Sequence, residues 1–126
     1  MSNEITAEDL AATFDAFNRH DVEGVMRLFA DDCVFYTVAG PEPHGRKIEG
    51  AAAVAKAFEA VCTAMPDARW DHRDHFVHGD RAVSEWTFSG TGADGVRIEL
   101  EGADLFRLRG GEIVVKQALR KQHVPG

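Results

Sequence analysis

From about residue 68 to residue 122 the chain carries strand signals almost without interruption, and nearly all of its helical periodicity lies before that stretch. Turn signals at Gly79-Asp80, Asp94-Gly95 and Gly110-Gly111 cut the second half into strands near 68–78, 81–91, 96–108 and 112–122. In the first half, Leu10, Phe14 and Phe17 recur at i, i+4, i+7, and Thr6 with Asp9 forms a capping-box pattern, which predicts a helix over 7–19. Asp21 is placed to cap a second helix carrying the stripe Val22, Val25, Met26 and Phe29, and an apolar strand is expected over 33–38. Residues 39–50, with Gly40, Pro41, Pro43, Gly45 and Gly50, read as a loop. A third helix begins near Ala51, with Val54, Phe58, Val61, Cys62 and Met65 on one stripe, and Pro66 ends it. Helices first and antiparallel hairpins after make an α+β fold, with three helices packed on one face of a strongly curved antiparallel sheet.

Length and charge narrow the function. A chain of 126 residues suits one domain spanning 1–126 and buries roughly two thirds of the surface its unfolded form exposes. Fourteen Lys and Arg against 21 Asp and Glu leave a formal charge of −7, which argues against nucleic acid and anionic membranes as partners. No stretch approaches the ~20 apolar residues that span a bilayer, residues 1–10 carry no apolar signal core, and the chain reads as cytoplasmic. Cys33 and Cys62 lie in apolar patterns without paired-motif spacing, as buried reduced thiols do. His72, His75 and His78 share one expected strand, where strict alternation points His75 away from the other two, so no metal site is expected. No nucleophile elbow or phosphate-cradling loop occurs, and no cofactor is expected.

The runs Phe17-Asn18-Arg19-His20-Asp21 and Leu28-Phe29-Ala30-Asp31-Asp32 precede the loop from Gly45 to Gly50. Gly79-Asp80-Arg81-Ala82-Val83, Glu85-Trp86-Thr87, Gly90-Thr91 and Ala103-Asp104-Leu105-Phe106-Arg107 follow. In this order, over about residues 8–122, they resemble the SnoaL-like and ketosteroid isomerase-like families of the nuclear transport factor 2-like superfamily. The resemblance implies a cone of sheet around a small-molecule pocket. It matches Asp104 to the aspartic acid with which ketosteroid isomerases hydrogen-bond a developing enolate. Thr37 stands where the isomerase base would be, and Thr13 where a helix 1 tyrosine would be. Limonene epoxide hydrolase, another relative, uses an Asp-Arg-Asp set whose positions look like Glu85, Thr87 and Ala118 here, so neither chemistry is supported. A SnoaL-like cyclase needs only one pocket acid or base.

A two-residue turn at Asp94-Gly95 sets position i opposite 189 minus i, which faces Glu85 against Asp104 and puts both carboxylates among Val83, Thr87, Ile98, Leu100, Gly102 and Phe106 on the inner face. A three-residue loop with a bulge reverses that parity. With the two-residue turn, Trp86, Phe88, Arg97, Glu99 and Glu101 face outward, and the two aromatics predict a homodimer through the outer sheet face. Trp70, His72, Asp74 and Phe76 alternate on the side chosen for the pocket. On the last strand, family matching turns Lys116, Ala118 and Arg120 inward, whereas apolar periodicity turns Ile113, Val115 and Leu119 inward; a bulge near Gly110 would decide. Phe17, Thr37 and Phe58 complete the expected lining, and Tyr36 either faces out or twists back to the mouth.

Two functions stay open from the sequence. One is cofactor-independent proton transfer by Asp104 and Glu85 on a small apolar carbonyl compound, in the manner of an isomerase, cyclase or lyase, since paired carboxyls in an apolar cavity raise each other's pKa. The other is a non-catalytic module for binding a small ligand or for dimerisation.

Overall fold

Thr6 opens the first helix as the sequence predicts. Its Oγ1 accepts from the Asp9 backbone N–H at 3.1 Å, and its own N–H donates to the Asp9 carboxylate at 2.9 Å. The computed structural model describes residues 4–126; the first three residues of the acidic amino-terminal stretch lie outside the described residues. Helix α1, Ala7–Asn18, buries Leu10, Phe14 and Phe17. Asp21 caps α2, Val22–Met26, by accepting from the Gly24 N–H at 3.0 Å. This helix is shorter than its stripe suggested. Phe29 already opens strand β1, Phe29–Tyr36, pairing with Ile113, so the strand starts four residues before the expected position. Within the segment expected to be loop, a short strand β2, Lys47–Glu49, pairs with β1. Helix α3 spans Ala51–Ala64, and strands β3 (Arg69–His78), β4 (Arg81–Thr91), β5 (Arg97–Arg109) and β6 (Glu112–Arg120) follow close to their predicted bounds.

The six strands form one curved, unclosed sheet in the order β2-β1-β6-β5-β4-β3. Neighbours are antiparallel except β1 and β6, which run parallel, so the sheet is mixed where the sequence suggested an antiparallel one. The loop between β4 and β5 sets which side chains face inward. Gly92 N–H donates to Val96 O at 3.0 Å, leaving a three-residue loop whose last member, Gly95, sits at φ 78. Every pair from Arg81↔Arg107 to Thr91↔Arg97 is therefore shifted by one from the two-residue expectation, and Ser84, not Glu85, faces Asp104. A one-residue shift moves a whole strand face. Ala82, Ser84, Trp86 and Phe88 are buried inside, while Val83, Glu85 and Thr87 turn outward.

Two further irregularities re-aim side chains. The β3–β4 register shifts between His72 and Asp74, so Trp70, His72, His75 and Val77 lie on the inner side, while Asp74 turns out and Phe76 is 58% exposed. The β5–β6 register shifts between Arg107 and Leu108, against Val115 and Ile113. Ile113 can therefore be buried along with Lys116 and Ala118, so the family match holds for the inward set, and the irregularity lies at Val114 rather than at Gly110. Of the apolar set only Ile113 turns in: Val115 pairs with Arg107 on the other face and Leu119 is 47% exposed.

Helices α1 and α3 cover the concave face. Asn18 closes the first against the sheet: its side-chain amide donates to Trp70 O at 2.8 Å and accepts from Trp70 N–H at 2.7 Å, substituting for a missing strand at the β3 edge. Phe17 packs at once on Phe58 of α3 and Trp70 of β3, with ring centroids 5.0 and 4.9 Å apart. The apolar faces of both helices meet the sheet there, and between them a space stays open.

Candidate functional site

The floor of that space is a lysine. β6 carries Lys116 inward among aromatic rings, with Nζ 4.8 Å from the Phe35 centroid and 5.6 Å from those of Phe17 and Phe58. Its counter-ion is Asp104 on the neighbouring strand, with Nζ 2.8 Å from Oδ1 and side-chain exposures of 5% and 0%. The other carboxylate oxygen accepts from Trp86 Nε1–H at 2.9 Å. Both Asp104 oxygens thus serve as acceptors for buried donors. An ammonium has three N–H groups, and Asp104 takes one of them; the rings surrounding the rest offer only their π faces.

Above the lysine lies a cavity of about 190 Å³, bounded by Phe17, Phe35, Thr37, Val38, Ala57, Phe58, Val61, Trp70, Trp86, Phe88, Lys116, Ala118 and Arg120. Among the described residues its only charged walls are Lys116 and Arg120. Two features keep the cavity open. Ala118 takes the inward position between the two cations, and Gly102 allows the Trp86 ring to lie flat, since a Cβ there would stand 2.6 Å from the indole. Thr37 is already occupied, its Oγ1 donating to Ala39 O at 2.7 Å and accepting from Arg46 N–H at 3.0 Å.

A cone of sheet closed by helices around an aromatic cavity is matched at the family level, because residues 10–116 fit the model of the SnoaL-like domain. The chain belongs to the SnoaL-like family. Among solved structures, a nuclear transport factor 2-like protein of unknown function from Mesorhizobium loti is 31% identical, with 91% of this chain and 89% of that one covered and a TM-score of 0.74. TerC, co-crystallized with polyporic acid, is 24% identical over 90% and 89% of the two chains, with a TM-score of 0.74. A protein of ketosteroid isomerase-like fold from Catenulispora acidiphila, in complex with trimethylamine, is 20% identical over 90% and 85%, with a TM-score of 0.78. At these last two identities the likeness shows the fold alone. Comparison with curated proteins returned no match.

Of the residues that the sequence assigned to the SnoaL-like pocket, Phe17, Thr37, Phe58, Trp70, Lys116 and Arg120 border the cavity. Asp104 faces inward but is covered by its two donors and does not border it. Glu85 lies on the opposite sheet face, paired with Ala103, so the two carboxylates expected to face each other on the inner side are separated by the sheet. Thr87 and Asp74 are outward as well, moved there by the hairpin loop and the β3 irregularity. Leu100 and Phe106 face inward without lining the cavity, and Tyr36 packs on His44 at a centroid distance of 5.2 Å. Trp86 and Phe88, expected on an outer dimer face, are 2% and 3% exposed and form cavity wall, which removes the stated ground for a dimer. Sequence parity turned these two aromatics the wrong way, and Phe35, two residues before the inward Thr37, was left out of the expected lining; the alternation of Trp86 and Phe88 with Glu85 and Thr87 was the available signal.

Away from the cavity, the β3 irregularity creates a polar ladder that strict alternation forbade. His72 and His75 share a face and meet at 2.9 Å, His72 Nε2 lies 2.8 Å from Asp15 Oδ1, and His75 Nδ1 lies 2.7 Å from the buried Ser84 Oγ. A carboxylate only accepts, which fixes the direction for neutral rings: Ser84 O–H donates to His75, His75 to His72, and His72 to Asp15. His78 takes no part, and no group of three or more His, Cys, Asp or Glu among the described residues is arranged to hold a metal.

Burial, followed by the charge on His72, pushes the His75 pKa below its ordinary value of 6.5, with Asp74 and Asp15 opposing. The unfolded chain then binds more protons than the folded one as pH falls through that range, so this contribution to stability is complete above about pH 6.5 and is lost below it. Urea midpoints should fall between about pH 7 and pH 5, and His75→Gln should flatten that slope. Parallel slopes for wild type and variant would remove His75 as the cause.

Proposed function

We propose that this SnoaL-like chain, taken as one domain over residues 1–126, binds a small, flat, largely apolar carbonyl compound and holds its oxygen on Lys116. The observation that carries this reading is the Lys116 ammonium, nearly buried at the floor of an aromatic cavity with N–H groups beyond the one held by Asp104. A carbonyl oxygen gains hydrogen-bonding strength as negative charge builds on it, and a fixed ammonium in a water-poor site favours that charge. Asp104 acts through Lys116, as the counter-ion that keeps the side chain aimed. Enolate-forming chemistry of the isomerase or cyclase type would draw on the same arrangement. No carboxylate or imidazole lines the cavity among the described residues, which favours binding and polarisation of the carbonyl over base-catalysed turnover. The cavity is below the ~300 Å³ of ordinary drug-sized sites, which points to a ligand of one or two rings.

The chain's two tryptophans, Trp70 and Trp86, both border the cavity, so 5-fluorotryptophan labelling gives a direct view of occupancy. The ketone 2-acetylnaphthalene should shift both fluorine resonances and bind about tenfold more tightly than 2-ethylnaphthalene, the hydrocarbon of similar shape. Equal affinity for the two compounds would separate Lys116 from ligand recognition. No shift with either would show that the cavity takes no such ligand.

A further inference from the structure

Resting on that reading, we infer that the ligand is an anion, an apolar ring body whose carboxylate, or an equivalent oxyanion, is read by Arg120 at the cavity mouth while its other end meets Lys116. Arg120 lies four residues after Lys116 on the same inward face of β6, which sets their Cα atoms about 13 Å apart along the strand. Ala118 between them leaves room for a ring. The Arg120 guanidinium stacks over Phe88 at 5.2 Å, and among the described residues it forms no hydrogen bond or ion pair. Glu85 and Glu101 border the cleft on its other side, yet neither is ion-paired with it. Burial pushes its pKa down from the ordinary arginine value, the mark of a cation that has lost water without gaining a partner.

The balance of charge points the same way. Lys116 and Arg120 against Asp104 leave the cavity one positive charge in excess, inside a chain whose formal charge is −7. A cationic ligand would find the aromatic rings around Phe35 already taken by the Lys116 ammonium and would meet a second cation at the mouth. An anion meets an unpaired guanidinium, whose planar fork matches a carboxylate.

The test compares 6-acetyl-2-naphthoate with 6-acetyl-2-naphthamide, which is neutral and of nearly the same shape, by calorimetry on wild type and Arg120→Gln. The acid should bind wild type at least about tenfold more tightly than the amide, and Arg120→Gln should erase that preference by weakening the acid far more than the amide. Rising salt should weaken the acid and leave the amide unaffected. Were the overall charge of −7 the only field acting, salt would strengthen the acid instead, so this arm holds even if Arg120→Gln folds poorly. Equal binding of acid and amide would overturn the anion inference and leave the carbonyl pocket standing. A preference that survives in a folded Arg120→Gln protein would move the anion's partner away from Arg120 and overturn it too. Binding of neither compound would overturn both readings.

Discussion

Lys116→Met should lower unfolding stability by about 3–5 kcal/mol, because it leaves the Asp104 carboxylate fully buried beside one indole N–H with no counter-charge. For a domain of this length that is a fall in Tm of roughly 10–20 °C. Asp104→Leu should cost a comparable amount from the other side by stranding the ammonium among Phe17, Phe35 and Phe58. The double variant Asp104→Leu/Lys116→Met should recover most of the loss, since replacing a whole buried pair with apolar groups of similar size is often neutral or better. Thermal and urea unfolding of the four proteins closes the cycle. Additive losses in the double variant would mean that the two side chains stabilise the fold separately. Recovery would indicate that the pair is kept for what Lys116 does in the cavity rather than for stability.

Gly102→Ala should cost about 2–3 kcal/mol, near the upper end for one added methyl group in a packed interior. A Cβ at this position would stand 2.5 Å from the Leu119 carbonyl oxygen and 2.6 Å from two carbons of the Trp86 ring. The carbonyl belongs to the β6 backbone and cannot withdraw cheaply, so the indole must move. Its Nε1 is held by Asp104, and the ring forms cavity wall, so the displacement should shrink the cavity and weaken the Nε1 hydrogen bond together. The expected signature is a lower urea midpoint with a changed fluorine resonance for 5-fluorotryptophan at position 86 and little change at position 70. Wild-type stability in Gly102→Ala would show that Trp86 is not confined as described.

Apart from the short strand β2, which lies in a segment read as loop, the order of helices and strands was legible in the sequence because it rests on periodicity and turn chemistry, both local. The capping box at Thr6 and Asp9, the stripe of α3 and the four long strands follow from residues within a few positions of one another. What failed was parity, which one residue can reverse. Asp94-Gly95 suits a two-residue turn, but the strands it joins carry Ala82, Trp86 and Phe88 opposite Phe106, Gly102 and Leu100, and only the three-residue loop buries all of them on one face. Burial of those aromatics outweighs the preference of one dipeptide. The irregularities at Arg73 and Val114 leave no mark in composition, and they decide that His75 turns in, Asp74 turns out, and Ile113 and Lys116 are both buried. The pocket's aromatic character was legible from Phe17, Phe58 and Trp70. The family resemblance also turned its two cations, Lys116 and Arg120, inward; the Lys116–Asp104 pair was not legible, because it joins residues twelve positions apart on strands whose facing sides depend on those irregularities.

The most direct test is a crystal structure of the protein with 2-acetylnaphthalene bound. The ring should lie between Phe58, Trp70, Trp86 and Phe88, with the ketone oxygen about 3 Å from Lys116 Nζ and the Lys116–Asp104 contact retained. A ketone bound outside this cavity, or one held inside with its oxygen turned to solvent and its ring against Lys116, would contradict the role given to that lysine.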